Sequence, residues 1–217
     1  MSGKIFCIGL NKTATSSLSA ALRLLGYRTF HNGSAETNRR VDRAHLEGVP
    51  LLTYLGHQWD AYADVQALNE RFDVLDRQYP ASKFILTTRD IDGWVASRER
   101  HVRMNQERAA AGEYDGDLLT VDRDGWVEER EAHEGAVRDY FTGRPDDLLV
   151  MDIVAGDGWD VLCPFLGVRV PRRRPFPFLN RSALFGTREV DVVGRRRVYS
   201  DRVVSVARRW RRKTLGG

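Results

Sequence analysis

Short apolar runs alternate along the chain with longer stretches of helical period, the pattern of a mainly parallel sheet whose strands are joined by helices. Lys4-Ile5-Phe6-Cys7-Ile8-Gly9-Leu10 is rich in β-formers and bounded by turn residues, as a buried strand is. From residue 17 the period changes: Leu18, Ala21, Leu22 and Leu25 recur at helical spacing, and Gly26 follows as a stop. Residues 82–88 repeat the strand pattern after Tyr79-Pro80, and a helical stretch containing Trp94 and Ser97 follows. Residues 147–153 form a third such run, leading through Gly156-Asp157-Gly158-Trp159 to an exit segment at residues 175–180.

The remaining positions fill in the alternation. Residues 27–30 predict a second strand, 34–47 a polar helix, and 51–55 a further short strand or the start of a helix. Residues 64–79 and 91–108 predict helices, and 109–124 an irregular exposed segment. Residues 126–141 predict a helix whose apolar face is Val127, Ala132, Ala136, Val137 and Tyr140. His133 on that helix reads as a packed or surface residue. The expected fold is α/β, three layers with helices on both faces of a mainly parallel central sheet.

At 217 residues and 42% hydrophobic content, the chain suffices for one sizeable core, so a single domain over residues 1–217 is the expectation. Cys7 and Cys163 sit in apolar segments without metal or redox spacing and read as buried thiols. The absence of a signal segment and of any membrane-length apolar run points to a soluble, cytoplasmic protein. The formal charge of +4 is concentrated late, in Arg172-Arg173-Arg174, Arg195-Arg196-Arg197 and the arginines of residues 208–212. A basic end invites a nucleic-acid reading, which salt-dependent retention on DNA or RNA would test. Yet Val203, Val204, Ala207 and Trp210 recur at helical spacing. The basic segment 181–217 is therefore expected to pack on the domain as an amphipathic helix, with nucleic acid the less favoured partner.

The chemistry begins at Gly9-Leu10-Asn11-Lys12-Thr13-Ala14-Thr15-Ser16-Ser17-Leu18, between the first strand and the first helix. A strand feeding a helix through a polar turn leaves backbone N–H groups unpaired at the helix start, and these favour phosphate or sulfate. The hydroxyls of Thr13, Thr15, Ser16 and Ser17 and the charge of Lys12 add to them. The alternative is an ordinary turn capped by a Ser or Thr hydroxyl. The segment is neither a Walker A loop, which needs glycines that are missing before Lys12, nor G-x-G-x-x-G. Arg89 is the second candidate, at the C-terminal end of a strand, the edge where open parallel sheets bind ligands.

These segments together resemble the sulfotransferases that use 3'-phosphoadenosine 5'-phosphosulfate (PAPS). Lys12-Thr13-Ala14-Thr15-Ser16 resembles their K-[ST]-G-T-[TS] loop, and Arg89 with Ser97, eight residues on, resembles their 3'-phosphate motif. Residues 147–180 resemble the late strand, helix and exit segment of bacterial members, so the likeness spans about residues 4 to 180 in the expected order. It implies a P-loop-NTPase-like sulfotransferase fold and PAPS as cosubstrate, with 3'-phosphoadenosine 5'-phosphate (PAP) released and no metal required. It further implies that Asn11, Lys12, Thr13, Ala14, Thr15, Ser16 and Ser17 bind the phosphosulfate, and that Arg89 and Ser97 bind the 3'-phosphate. Lys12 would stabilise the leaving oxygen. Asp64, just before a helix, stands where related enzymes place a base, with His57, His31 and Glu36 as weaker candidates; capping the next helix is its alternative role. The acceptor would be a hydroxyl or amine of a small molecule or glycan. Ala14 stands where the family usually has glycine, and an αR or β backbone there would accept it. A nucleotide kinase or NTPase with an unusual loop is the competing class, with Asp152 as its magnesium ligand.

Overall fold

Every second residue of the short strands is committed to one side of the sheet, and this alternation builds the layers. The computed structural model describes residues 3–114, 116 and 118–179, within the compact unit Met1–Leu184. The basic stretch from residue 181 and its expected helix lie outside the described residues. The strands are β1 (Ile5–Cys7), β2 (Thr29–His31), β3 (Ala61–Ala63), β4 (Lys83–Thr87) and β5 (Leu148–Met151). They form one parallel sheet in the order β2-β3-β1-β4-β5.

Ile5, Cys7, Ala61, Ala63, Ile85 and Met151 face one core with Leu18, Ala21, Leu22, Leu162 and Cys163. The helices on that side are α1 (Thr15–Leu24) and α7 (Trp159–Leu166). Phe6, Tyr62, Phe84 and Leu86 face the other core with Val41, Leu68, Leu75, Val137 and Phe141. They are covered there by α2 (Ala35–Leu46), α3 (Gln66–Asn69), α4 (Phe72–Gln78) and α6 (Arg123–Tyr140). Phe6 is in register with both Tyr62 and Phe84, at ring centroid distances of 5.8 and 5.4 Å. One aromatic row thus crosses the three central strands. The three-layer α/β arrangement read from the sequence is the observed one.

Some local expectations change. Residues 51–55 are neither strand nor helix but a run of turns, with Leu51, Leu52 and Leu55 buried. The strand in this region is instead Ala61-Tyr62-Ala63, formed because β1 and β2 pair with it on both sides. The helix expected over 64–79 is two helices, α3 and α4. On α6, Ala132 and Ala136 are exposed, and the buried positions are Trp126, Arg130 and Val137. The longest helix, α5 (Ile91–Ala110), pairs with α6 over a third cluster of Leu10, Trp94, Val102 and Trp126.

Candidate functional site

All five strands are parallel, so their C-terminal ends share one edge, and the chain changes sides there: β3 lies on one flank of β1 and β4 on the other. Ligands bind at such a switch point in open α/β sheets. The three central strands deliver to it the Lys12 loop after β1, Asp64 after β3 and Arg89 after β4.

The loop is held from several sides. Gly9 lies so close to β4 that a Cβ there would sit 2.0 Å from Thr87 Oγ1, which excludes any side chain. Thr13 Oγ1 lies 2.6 Å from Leu10 O and 2.6 Å from Thr87 Oγ1. Asn69 Nδ2 donates to Gly9 O (3.0 Å), Trp94 Nε1 to Asn11 O (2.8 Å) and His133 Nε2 to Ile8 O (2.8 Å). Lys12 and Ala14 have φ of 68° and 70°, whereas Thr13 between them does not. Alternation of this kind turns successive N–H groups into one anion-sized concavity.

The capped-turn alternative fails, because the N-cap of α1 is Ala14 and no side chain caps the helix. The expectation of a right-handed or extended backbone at Ala14 is likewise replaced: the residue is left-handed, a conformation that costs an L-residue about 1–2 kcal/mol. Nor do all the hydroxyls face outward. Thr13 and Ser17 are fully buried, the first tied to Leu10 and Thr87 and the second accepting from Leu179 N at 2.9 Å. Thr13 and Ser17 can therefore offer an anion only their backbone N–H. Asn11, Lys12, Ala14 and Ser16 are the half-exposed positions of the loop.

Asp64 does not cap the following helix. The N-cap of α3 is Val65, without a side-chain bond, and the Asp64 carboxylate turns back toward the sheet edge. Its Oδ1 accepts from Thr15 Oγ1 at 3.3 Å, and its Oδ2 is 3.9 Å from His31 Nε2. Asp64 has φ of 57°, and a Cβ on Gly33, just past β2, would come within 3.1 Å of its O and Oδ2. Asp64, His31 and Thr15 are thus brought together. The other two base candidates are not. His57 is exposed at the opposite edge, where its carbonyl accepts from Lys4 at the start of β1 (3.0 Å). Glu36 lies on the outer face of α2, paired with Arg39 and Arg40, which hold its carboxyl below the usual range.

On the other flank, Arg89 Nη1 donates to Lys12 O at 3.4 Å. The guanidinium lies across the first turn of α5, where a Cβ on Gly93 would be 2.8 Å from Nη2. Asp90 caps that turn by accepting from Gly93 N (2.6 Å). Ser97, half-buried, is four residues beyond Gly93 and on the same helix face. One further turn on is His101, which the sequence reading did not single out although its i+4 spacing from Ser97 was visible. Burial, with the nearby charges of Lys12, Arg108 and Arg98, pushes its pKa down to about 4. Burial and these neighbouring cations favour the neutral imidazole of His101.

Asp152 fits the kinase class poorly: it follows the edge strand β5, and its Oδ1 accepts from Ala155 N at 2.8 Å within its own turn. Among the described residues no group of three or more His, Cys, Asp or Glu side chains converges as metal ligands. No helix among them is long and apolar enough to cross a membrane.

Comparison with known proteins gives a family. The family described as "Sulfotransferase domain" matches residues 4–115 and 107–185. Among solved structures, a sulfotransferase from Alicyclobacillus acidocaldarius is similar at 16% identity, over 78% of this chain and 83% of that one, with a TM-score of 0.48. No curated protein sequence matches the chain.

Proposed function

The chain belongs to the sulfotransferase domain family, and from that premise we propose that it moves a sulfuryl group from PAPS to a hydroxyl or amine of a small-molecule or glycan acceptor. The observation that carries this reading is the placement of Lys12, Arg89 and Asp64 at adjacent strand ends, with the Arg89 guanidinium against the carbonyl of Lys12. A donor with charge at both its 5' and 3' ends suits two cations, Lys12 and Arg89, carried by neighbouring strand ends.

Sulfuryl transfer is an in-line displacement with charge on the transferring oxygens, so positioning and electrostatic stabilisation supply most of the catalysis. The N–H groups of the loop from Lys12 to Ser16 would cradle the 5'-phosphosulfate, and Arg89 with Ser97 would take the 3'-phosphate. As the acceptor oxygen bonds to sulfur, the bridging S–O bond breaks and PAP leaves, with Lys12 balancing the charge on the leaving oxygen. The acceptor proton passes to Asp64. The acceptor hydroxyl would donate to Asp64 Oδ2, beside which His31 Nε2 lies buried at 3.9 Å.

The binding test needs no acceptor. PAP at one hundred times its Kd should stabilise the protein by about 2.7 kcal/mol and raise Tm accordingly, well beyond the shift from ADP or AMP at the same concentration. Equal shifts from all three nucleotides would sink the assignment.

A further inference from the structure

Behind the Arg89 loop lies a buried ionic cluster that the proposed chemistry does not use. Arg130 on α6 is only 5% exposed. Its Nε donates to Glu134 Oε1 at 2.8 Å, and its Nη2 donates both to Thr88 Oγ1 at 2.8 Å and to the backbone carbonyl of Arg89. Thr88 Oγ1 in turn donates to the same Glu134 oxygen at 2.8 Å. The guanidinium also stacks on Trp94, 5.1 Å from the ring centroid, and it is the Trp94 indole that donates to Asn11 O in the phosphosulfate loop.

A buried ion pair of this kind is weak evidence for stability, because desolvation offsets its attraction. Arg130 Nη1 is buried and has no hydrogen-bond partner among the described residues, which adds to that cost. What the cluster does fix is geometry. Thr88 and Arg89 leave β4 with the Thr88 N–H bonded to Met151 O (2.9 Å), and Asp90 immediately caps α5. Between these two anchors, the Arg89 carbonyl is held by Arg130 Nη2. The backbone from which the Arg89 side chain starts is thereby set, and so is the reach of its guanidinium toward Lys12 O and Gly93.

We infer that Arg130 is a positioning residue for recognition of a 3'-phosphate: through Thr88 and the Arg89 carbonyl it aims Arg89, and through Trp94 it ties that aim to the phosphosulfate loop. The inference rests on the PAPS reading. It predicts that Arg130 governs discrimination between nucleotides with and without a 3'-phosphate, although it touches neither.

The test is calorimetric titration of the full chain with PAP and with AMP. Arg130→Lys keeps a charge for Glu134 but lacks the planar fork that bonds Glu134 through Nε while Nη2 holds Thr88 and the Arg89 carbonyl. It should lower the PAP-over-AMP affinity ratio at least tenfold while the AMP Kd stays within twofold. Thr88→Val, which removes one arm and leaves the charges in place, should shift the ratio in the same direction by a smaller factor, and it carries the test if the lysine variant does not fold. A lowered Tm with an unchanged ratio, or equal weakening of both nucleotides, assigns Arg130 to structure alone and overturns the inference. A wild-type protein that prefers PAP while Arg130→Lys retains the full preference sinks this inference alone. A wild-type protein with no preference for PAP removes the PAPS reading and this inference with it.

Discussion

Thr15 Oγ1 donates to Asp64 Oδ1 across 3.3 Å, joining the first residue of α1 to the end of β3. The bond turns one oxygen of the carboxylate toward the loop after β1 and leaves the other toward His31 at the end of β2. Asp64→Asn preserves the size and the acceptor for Thr15 but cannot take a proton. Transfer of labelled sulfuryl from PAPS should fall about 10²–10⁴-fold with Tm changed little. His31→Gln should cost less; the reverse order would make His31 the base.

Lys12→Ala is expected to leave the far-UV circular dichroism and the cooperative melt intact, since Lys12 is half-exposed in the loop. Turnover should drop about 10²–10³-fold, the scale for loss of one group that stabilises developing charge. Near-normal turnover would take Lys12 out of the mechanism.

Ala14 holds φ of 70° at the helix start. Glycine carries no penalty for that backbone, although it gains freedom in the unfolded chain and loses a methyl that packs on the core. The balance favours Ala14→Gly by about 0.5–1 kcal/mol, or roughly 2 °C in Tm. A lower melting temperature would show that the packed methyl outweighs the strain. Ala14→Val should destabilise, because a β-branched residue resists the left-handed region.

His101 gives a pH signature. Its folded-state pKa is about 4, against about 6.5 when unfolded. Between those values the unfolded chain binds a proton that the native state refuses, so stability falls as pH drops from 6.5 toward 4 and its contribution is complete above 6.5. The group is partly exposed, so the loss is on the order of 1–2 kcal/mol after solvent screening. Chemical denaturation at pH 7 and pH 5 should show a smaller stability difference in His101→Gln than in the wild type. Parallel profiles would remove His101 from the balance.

How far the sequence reaches varies with the kind of information a residue carries. The positions of α1, α2 and α5 were visible because helical period and, for α1, a terminal Gly26 are local signals. The strand at residues 61–63 was not, since Ala-Tyr-Ala has little strand preference and is extended only because it hydrogen-bonds on both sides. The buried face of α6 was misjudged for a related reason. Arg130 and His133 look like solvated residues in a pattern of apolar and polar letters, but the helix packs against strand ends that offer carbonyls and a hydroxyl, and those partners are distant in sequence.

The sequence by itself determined the class of fold, the polar turn after the first strand, and an arginine at the end of another strand. These depend on periodicity and on spacing within single segments. Only the tertiary structure decided which hydroxyls of the loop are spent inside it, which two of the four base candidates lie together at the switch point, and what holds the Arg89 carbonyl. Those outcomes depend on which strands lie side by side, and strand order is set by burial and hydrogen bonding between segments tens of residues apart.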